Sequence, residues 1–488
     1  MANVESLSTV LIAVPSRKGG FSIVIDEGAE VTRPRIHSIT VSRQLMSSKM
    51  TPSPPAANHT AAPRPGTVLE PPRTWVGRLR MIGPGIVLAM ASVGAGDMVT
   101  TLSSSSQFGL GLIWVFIVGL ILKFGLTEAI ARLQLTGSRT FLSHLTDIGG
   151  RFLPAVFLGI VLLVGFFYGS GLTAITTLTM QALIPGLPYW PTFIVIVTSA
   201  IVLIGIGRYG IVESAMLGFG ILMFLGMVWV AIASARGDGA SQAVDTAVPT
   251  LPAGSFITVL SLIGGVGGAV GIIAYSYWIR EKGWNGPQWK SIVRIDSISS
   301  YVFIAVFAVA MTVVGTFLLF TTNTTIDGSE AIIPLADSIV PLAGDIGRIA
   351  YLLCLVAIVY SSILGGFSAI GYLLADGVRV LRRIDDEKAD QSMAPSSVPY
   401  RLALAYVLVC SLAVSSLGEP VALVIIYATV SAFVLPILSI ALLLLLNRKS
   451  FPATLRNGLW SNIILVACLA LFGFLAIVQC LETFGVMS

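Results

Sequence analysis

Beyond position 75 the chain alternates long apolar stretches with short polar turns, many of them basic. About 20 consecutive apolar residues suffice to cross a bilayer as a helix. The pattern predicts eleven spans, near 82–107, 110–134, 153–181, 191–207, 211–235, 256–280, 296–320, 347–378, 400–417, 420–446 and 458–482. Two of them are interrupted. The first runs into Gly94-Ala95-Gly96-Asp97, and the sixth contains Gly264, Gly265, Gly267, Gly268 and Gly271 ahead of Ala274-Tyr275-Ser276-Tyr277-Trp278. Glycine inside a helix costs about 1 kcal/mol relative to alanine, and a carboxylate at mid-membrane at least roughly 2.5 kcal/mol. A chain that accepts both at one point is expected to unwind there. Broken spans at positions one and six are what two inverted five-helix repeats give, with the substrate site at the breaks. The plainer alternative, glycines that only let helices pack closely, stays open.

The pattern therefore predicts an all-α integral membrane protein. Its core covers 76–446, with repeats at 82–235 and 256–446, and a loop and eleventh span follow over 447–488. Residues 1–75 are rich in Ser, Pro, Thr and Arg, as in Thr51-Pro52-Ser53-Pro54-Pro55, and are read as a disordered cytoplasmic tail.

Charge orients the chain. Arg139, Arg151, Arg208, Arg280, Lys282, Lys290, Arg294, Arg379, Arg382, Arg383, Lys388, Arg401, Arg448, Lys449 and Arg456 all fall on one side of the predicted spans, against Arg236 and Arg348 on the other. Positive residues stay inside, so the N-terminus is expected in the cytoplasm and the C-terminus outside. The sequence shows no targeting peptide, which points to a plasma or bacterial inner membrane.

Composition agrees and excludes several classes. Of 488 residues 55% are hydrophobic and 11% charged, where soluble domains carry about 25% charge. The net charge of +5 sits in short loops and does not indicate nucleic acid. Cys354, Cys410, Cys468 and Cys480 lie in or at the end of apolar segments, with no disulfide framework or metal spacing. There is no P-loop lysine motif, no histidine–carboxylate zinc cluster and no Gly-x-Ser-x-Gly elbow. No enzyme and no cofactor are expected, and pumping would draw on an ion gradient. No oligomerisation signal stands out.

Several stretches resemble one transporter family. Ser105-Ser106-Gln107-Phe108-Gly109, Trp114-Val115, Ala131-Arg132-Leu133 and Thr136-Gly137 are similar to the first two helices of the Nramp metal-ion transporters, and Gly83-Pro84-Gly85 resembles that family's opening. Glu213 after Arg208-Tyr209-Gly210, Ser361-Ser362 before Gly365, and Val434-Leu435-Pro436 resemble its helices five, eight and ten. The resemblance implies a LeuT-type fold with discontinuous helices one and six, alternating access, and proton-coupled uptake of divalent transition metals.

The departures are chemical. Where the family carries Asp-Pro-Gly-Asn in helix one, this chain has Gly94-Ala95-Gly96-Asp97. Aligned on Gly268-Ala269, helix six has Ile272 for the family's methionine and Ala274 for its histidine. A thioether selects soft or borderline ions over Mg²⁺ and Ca²⁺, and Ile272 offers no lone pair. Asp97, with water and a backbone carbonyl such as that of Ala269, still suits a hard, largely hydrated cation.

The implied substrate site is thus Gly94, Ala95, Asp97, Gly268, Ala269, Ile272 and Tyr275, with Asp97 and Ala269 as metal ligands. Asp97 alternatively caps the second half of helix one. A charge network is sought at Lys123, Glu128 and Arg132, and hydroxyls for a coupling ion at Tyr360, Ser361 and Ser362. The plainer readings are a structural Glu128–Arg132 pair, a snorkelling Lys123, and serines bonded to their own helix. Three functions remain: a transporter of a small inorganic cation such as Mg²⁺ or Mn²⁺, one for an organic amine or zwitterion, or a non-transporting sensor.

Overall fold

The computed structural model describes residues 10–15, 21–26, 70–206, 209–235, 246–249, 251–252, 258–259, 262–263, 268–322, 334–416, 423, 426–427, 430–431 and 433–483. The chain divides into two units, Met1–Thr67 and Val68–Ser488. In the first, strand β1 (Val10–Pro15) pairs antiparallel with β2 (Phe21–Asp26), Val10 opposite Asp26 and Pro15 opposite Phe21. The sequence reading assigned no element here. Both stretches are rich in Val and Ile, residues that suit a pleated strand. The rest of the expected tail up to residue 69 lies outside the described residues.

In the second unit, α1 (Trp75–Leu79) leads to α2 (Pro84–Ser92), which carries proline in its first turn where no N–H partner is lost. Val93 and Gly94 are extended (ψ 105° and −176°), and α3 (Ala95–Phe108) restarts the helix. The first span is therefore broken where the glycines and Asp97 predict it. Next come α4 (Ile113–Gln134), the short α5 (Phe141–Gly149), α6 (Phe152–Leu183), α7 (Tyr189–Ile206) and α8 (Tyr209–Ser234).

The second half begins at α9 (Ala269–Glu281), capped by a non-helical Gly268. The glycines at 264, 265 and 267 lie outside the described residues, so of the predicted second break only the helix start that follows it is described. Then follow α10 (Lys290–Gly315), prolonged by a π-helical turn over Thr316–Phe320, then α11 (Pro334–Ser338) and α12 (Val340–Leu381). Finally α13 (Ala389–Met393), α14 (Val398–Val414), α15 (Val434–Leu446) and α16 (Leu459–Thr483) complete the chain.

Among the described residues seven helices are long and apolar enough to cross a membrane, and α13 with α14, bent by 46°, forms an eighth candidate. The predicted spans one, six and ten supply shorter pieces, α2 with α3, α9, and α15, since residues before α9 and α15 are only partly described. The helical membrane architecture of the second unit, with at least seven apolar spanning helices among the described residues, is as expected. The short helices α1, α5, α11 and α13 were not read from the sequence; Thr140 caps α5 by accepting the Ser143 N–H at 3.2 Å.

Helix α12 is the axis of the bundle and lies against α2, α6, α7, α8, α9 and α14. Its glycines permit this. A Cβ on Gly365 would stand 2.2 Å from the Cβ of Ala91 in α2, and one on Gly366 2.3 Å from the Tyr168 hydroxyl of α6. Small residues let membrane helices close to near backbone contact. That contact sets Ser362, one turn earlier, beside the break in the first span.

Candidate functional site

Unwinding at Val93–Gly94 frees the last carbonyls of α2 and the first N–H groups of α3, which in hydrocarbon need partners. The Asp97 carboxylate accepts the Gly94 N–H at 3.2 Å. Ser362 of α12 donates to the Ala91 carbonyl at 3.3 Å, and the Tyr168 hydroxyl donates to the Ser362 carbonyl at 2.7 Å. Tyr168 meets Tyr427 edge-on with ring centres 4.8 Å apart. Both tyrosines and Lys123 of α4 lie within electrostatic reach of Asp97. A Cβ on Gly94 would be 3.0 Å from the Ser362 hydroxyl.

The start of α9 closes the other side. The Cβ position of Gly271 is 3.6 Å from the Ser92 hydroxyl, and Ile272 is fully buried, its N–H donating to the Gly268 carbonyl at 3.4 Å. Gly268, Ala269 and Ile272 thus begin the helix that abuts the end of α2. Both readings of Asp97 meet at one place: it caps α3 and stands at the break. Among the described residues no group of three or more His, Cys, Asp or Glu is placed to hold a metal ion.

Other expected residues sit elsewhere. Tyr275 was assigned to the substrate site, but its hydroxyl donates to Asp296 at 2.7 Å, and Asp296 also accepts the N–H of Gly83 and Gly85 at 2.9 and 2.7 Å. Those glycines open α2, whereas the break follows its other end, about 14 Å away at 1.5 Å per residue. Tyr360 bonds Ser199 of α7 at 2.8 Å and packs edge-on to Phe219, and Ser361 bonds its own helix at Ile358 (3.0 Å). Of the three expected hydroxyls only Ser362 reaches the break, because α12 turns 100° per residue and neighbours point apart.

Lys123 does not snorkel. It is fully buried, with Nζ 5.9 Å from the centre of the Phe472 ring of α16. Glu128 and Arg132 pair at 2.7 Å as the plainer reading expects. Arg132 also donates to the Leu455 and Arg456 carbonyls, Asn457 and Ser461, fastening the loop that leads into α16. That pair is structural.

A polar network covers the end where the basic loops gather. Tyr277 donates to Asp376 at 2.7 Å, and Arg379 pairs with Asp376 and Asp386 while donating to Thr140 and Ser143 of the α5 region. Arg139 pairs with Asp147 at 2.8 Å, and Arg448 with Asp147 at 3.6 Å. The Arg139 hydrogen bond holds the Asp147 carboxyl below the usual carboxylate range. Burial works against ionised Asp386, but hydrogen bonds from Ser143 and Arg379 outweigh it and hold that carboxyl low as well.

His144, buried beside Phe451 with no hydrogen-bond partner for either ring nitrogen, is pushed down to about 4 by burial and by Arg139. The unfolded chain then binds a proton between about pH 6.5 and 4 that the folded one refuses, so stability is full above 6.5 and falls across that window. The loss is on the order of 3 kcal/mol from His144. The two carboxylates add a further loss only below about pH 4. Melting temperatures in detergent should therefore drop as pH falls from 6.5 to 4, and His144→Phe should flatten that slope.

The comparisons agree with this architecture. The family model described as natural resistance-associated macrophage protein-like (Nramp) matches residues 85–482. No curated protein sequence matches. A mutant of the Eremococcus coleocola manganese transporter superposes with a TM-score of 0.66 at 16% identity, over 86% of this chain and 90% of that one. MhsT, solved in complex with L-phenylalanine, gives 0.55 at 14% identity over 82% and 97% of the two chains. A nucleobase-cation-symport-1 family transporter solved with bromovinylhydantoin gives 0.53 at 12% identity, over 83% and 93%. At such identities the likeness is one of fold, and the fold is the LeuT type.

Proposed function

The chain belongs to the Nramp family of membrane transporters, and on that premise we propose that it carries a hydrated divalent cation, Mg²⁺ foremost, past the break in its first span. It is a transporter and not an enzyme. The observation that carries the reading is Asp97: one carboxylate at an unwound, part-buried backbone, with hydroxyls from Ser362 and Tyr168 nearby. Mg²⁺ gives up water reluctantly and is typically held by one or two carboxylates with several waters retained. A soft-ion cage would need a sulfur or imidazole at positions 272 and 274, where the chain has isoleucine and alanine.

In this reading Asp97 is the charged ligand, the Ala269 carbonyl contributes an oxygen, and Gly94 and Ala95 leave room for the ion. Lys123 is the fixed counter-charge of the empty site, which lessens the need for a coupling proton. The basic end faces the cytoplasm, in accord with the charge asymmetry of the loops. Transport follows alternating access, powered by the gradient of the cation itself or of a coupled ion.

An organic solute is the lesser reading. It asks Tyr275 and Tyr277 to line a cavity at the breaks, and both hydroxyls are instead committed to Asp296 and Asp376. The test is uptake into proteoliposomes holding a trapped Mg²⁺ indicator. Protein-dependent Mg²⁺ entry, slowed by external Mn²⁺, is expected. Absence of entry for Mg²⁺, Mn²⁺ and Ca²⁺ by folded protein would contradict the proposal.

A further inference from the structure

A broken helix poses a mechanical question. The nine residues of α2 have no helical continuity with α3, so side chains must hold them in place. At its far end α2 exposes N–H groups that no helical carbonyl can satisfy, together with the positive end of its dipole. Both meet one carboxylate. Asp296, fully buried in α10, takes the Gly83 N–H on one oxygen (2.9 Å) and the Gly85 N–H on the other (2.7 Å). It also takes the Tyr275 hydroxyl of α9 at 2.7 Å, and Ser297 donates to that hydroxyl at 3.1 Å. A single side chain thus joins the inner halves of both broken spans to α10.

We propose that Asp296 is the latch of the inner gate: its bonds to Gly83, Gly85 and Tyr275 hold α2 against α9 and α10, and parting them opens the inner side. The inference rests on the transporter reading and not on which solute is carried. Two neighbours support it. Glu213 of α8 pairs with Lys282, just past α9, at 2.7 Å, and a Cβ on Gly83 would be 2.0 Å from its carboxylate oxygen, so a second clasp closes over the first. Gly85 is equally constrained, since a Cβ there would be 2.4 Å from the Asp296 carbonyl oxygen. Asp376, by contrast, joins Tyr277 to Arg379 without touching α2, and braces α9 alone. A fully buried carboxylate depends on its donors, and once α2 leaves, hydration must replace the Gly83 and Gly85 N–H groups, so the latch opens as water enters.

The test reads the gate without any cation. In a background with Cys354, Cys410, Cys468 and Cys480 replaced by serine, Val87→Cys places a thiol at a fully buried position of α2. Reconstituted protein is treated with a membrane-impermeant maleimide from the basic side. Asp296→Asn, which keeps the shape but loses the charge, is expected to raise the labelling rate about tenfold by shifting the population to the open state. Tyr275→Phe, which removes one bond, should raise it less. An unchanged rate in a well-folded Asp296→Asn overturns the latch. Should that variant fail to fold, an unchanged rate in Tyr275→Phe overturns it instead. Because no cation is present, a failed latch leaves the Asp97 proposal standing, and a failed cation assay leaves the labelling result readable.

Discussion

Asp97→Asn should abolish Mg²⁺ uptake while the protein still folds. The substitution keeps the volume and an oxygen acceptor near the Gly94 N–H, so the cap is weakened rather than lost, at a cost of about 1 kcal/mol or less. The cation loses its single charged ligand. Changing groups that only support a metal ligand costs about 10–100-fold, so removing the ligand itself should exceed about 100-fold. Initial rates of indicator-reported uptake check this, with size-exclusion profile and melting temperature as controls for folding. Uptake within a few-fold of the parent protein would remove Asp97 from the pathway.

Arg379→Ala should give the largest loss of stability. The guanidinium is 2% exposed and holds two carboxylates, the fully buried Asp376 and Asp386, besides the Thr140 and Ser143 hydroxyls. Removing one partner of a buried pair strands the other charge and costs about 3–5 kcal/mol. Tyr277 would remain as a donor to Asp376 and soften the loss, whereas α5 would lose its tie to α12. Thermal unfolding in detergent should show a drop of several degrees in Arg379→Ala. Arg379→Lys should recover little, because an ammonium cannot reproduce the forked geometry that spans Asp376, Asp386 and Ser143.

Much of the fold was legible because membrane spans announce themselves by length and polarity. Helix α6 was expected at 153–181 and runs Phe152–Leu183; α16 was expected at 458–482 and runs Leu459–Thr483. The first break was legible as well, since glycines and a carboxylate at mid-span conflict with a continuous helix. What composition could not supply was azimuth. Ser361 and Ser362 are adjacent, yet one bonds its own helix and the other the end of α2.

Tyr275 was placed at the substrate site through its nearness in sequence to the sixth break, but a few residues of helix carry it toward the α2 start. Asp296 was counted as the first residue of span seven, and Tyr168 as part of an apolar run. Their roles depend on contacts more than 190 residues away in sequence (|i−j| of 213 for Gly83 and 194 for Ser362), which no local pattern encodes. For Lys123 the sequence left two readings, a charge partner inside the bundle and a side chain reaching for the interface, and the residue stays buried within reach of Asp97.

The central claim is that a divalent cation binds at the break in the first span through Asp97. Isothermal titration calorimetry tests it most directly, with purified protein titrated by Mg²⁺, Mn²⁺ and Ca²⁺, and Asp97→Ala measured beside the parent. The account predicts saturable Mg²⁺ binding that disappears in Asp97→Ala. Heat that persists unchanged in the variant, or no binding of any of the three ions to well-folded parent protein, would contradict it.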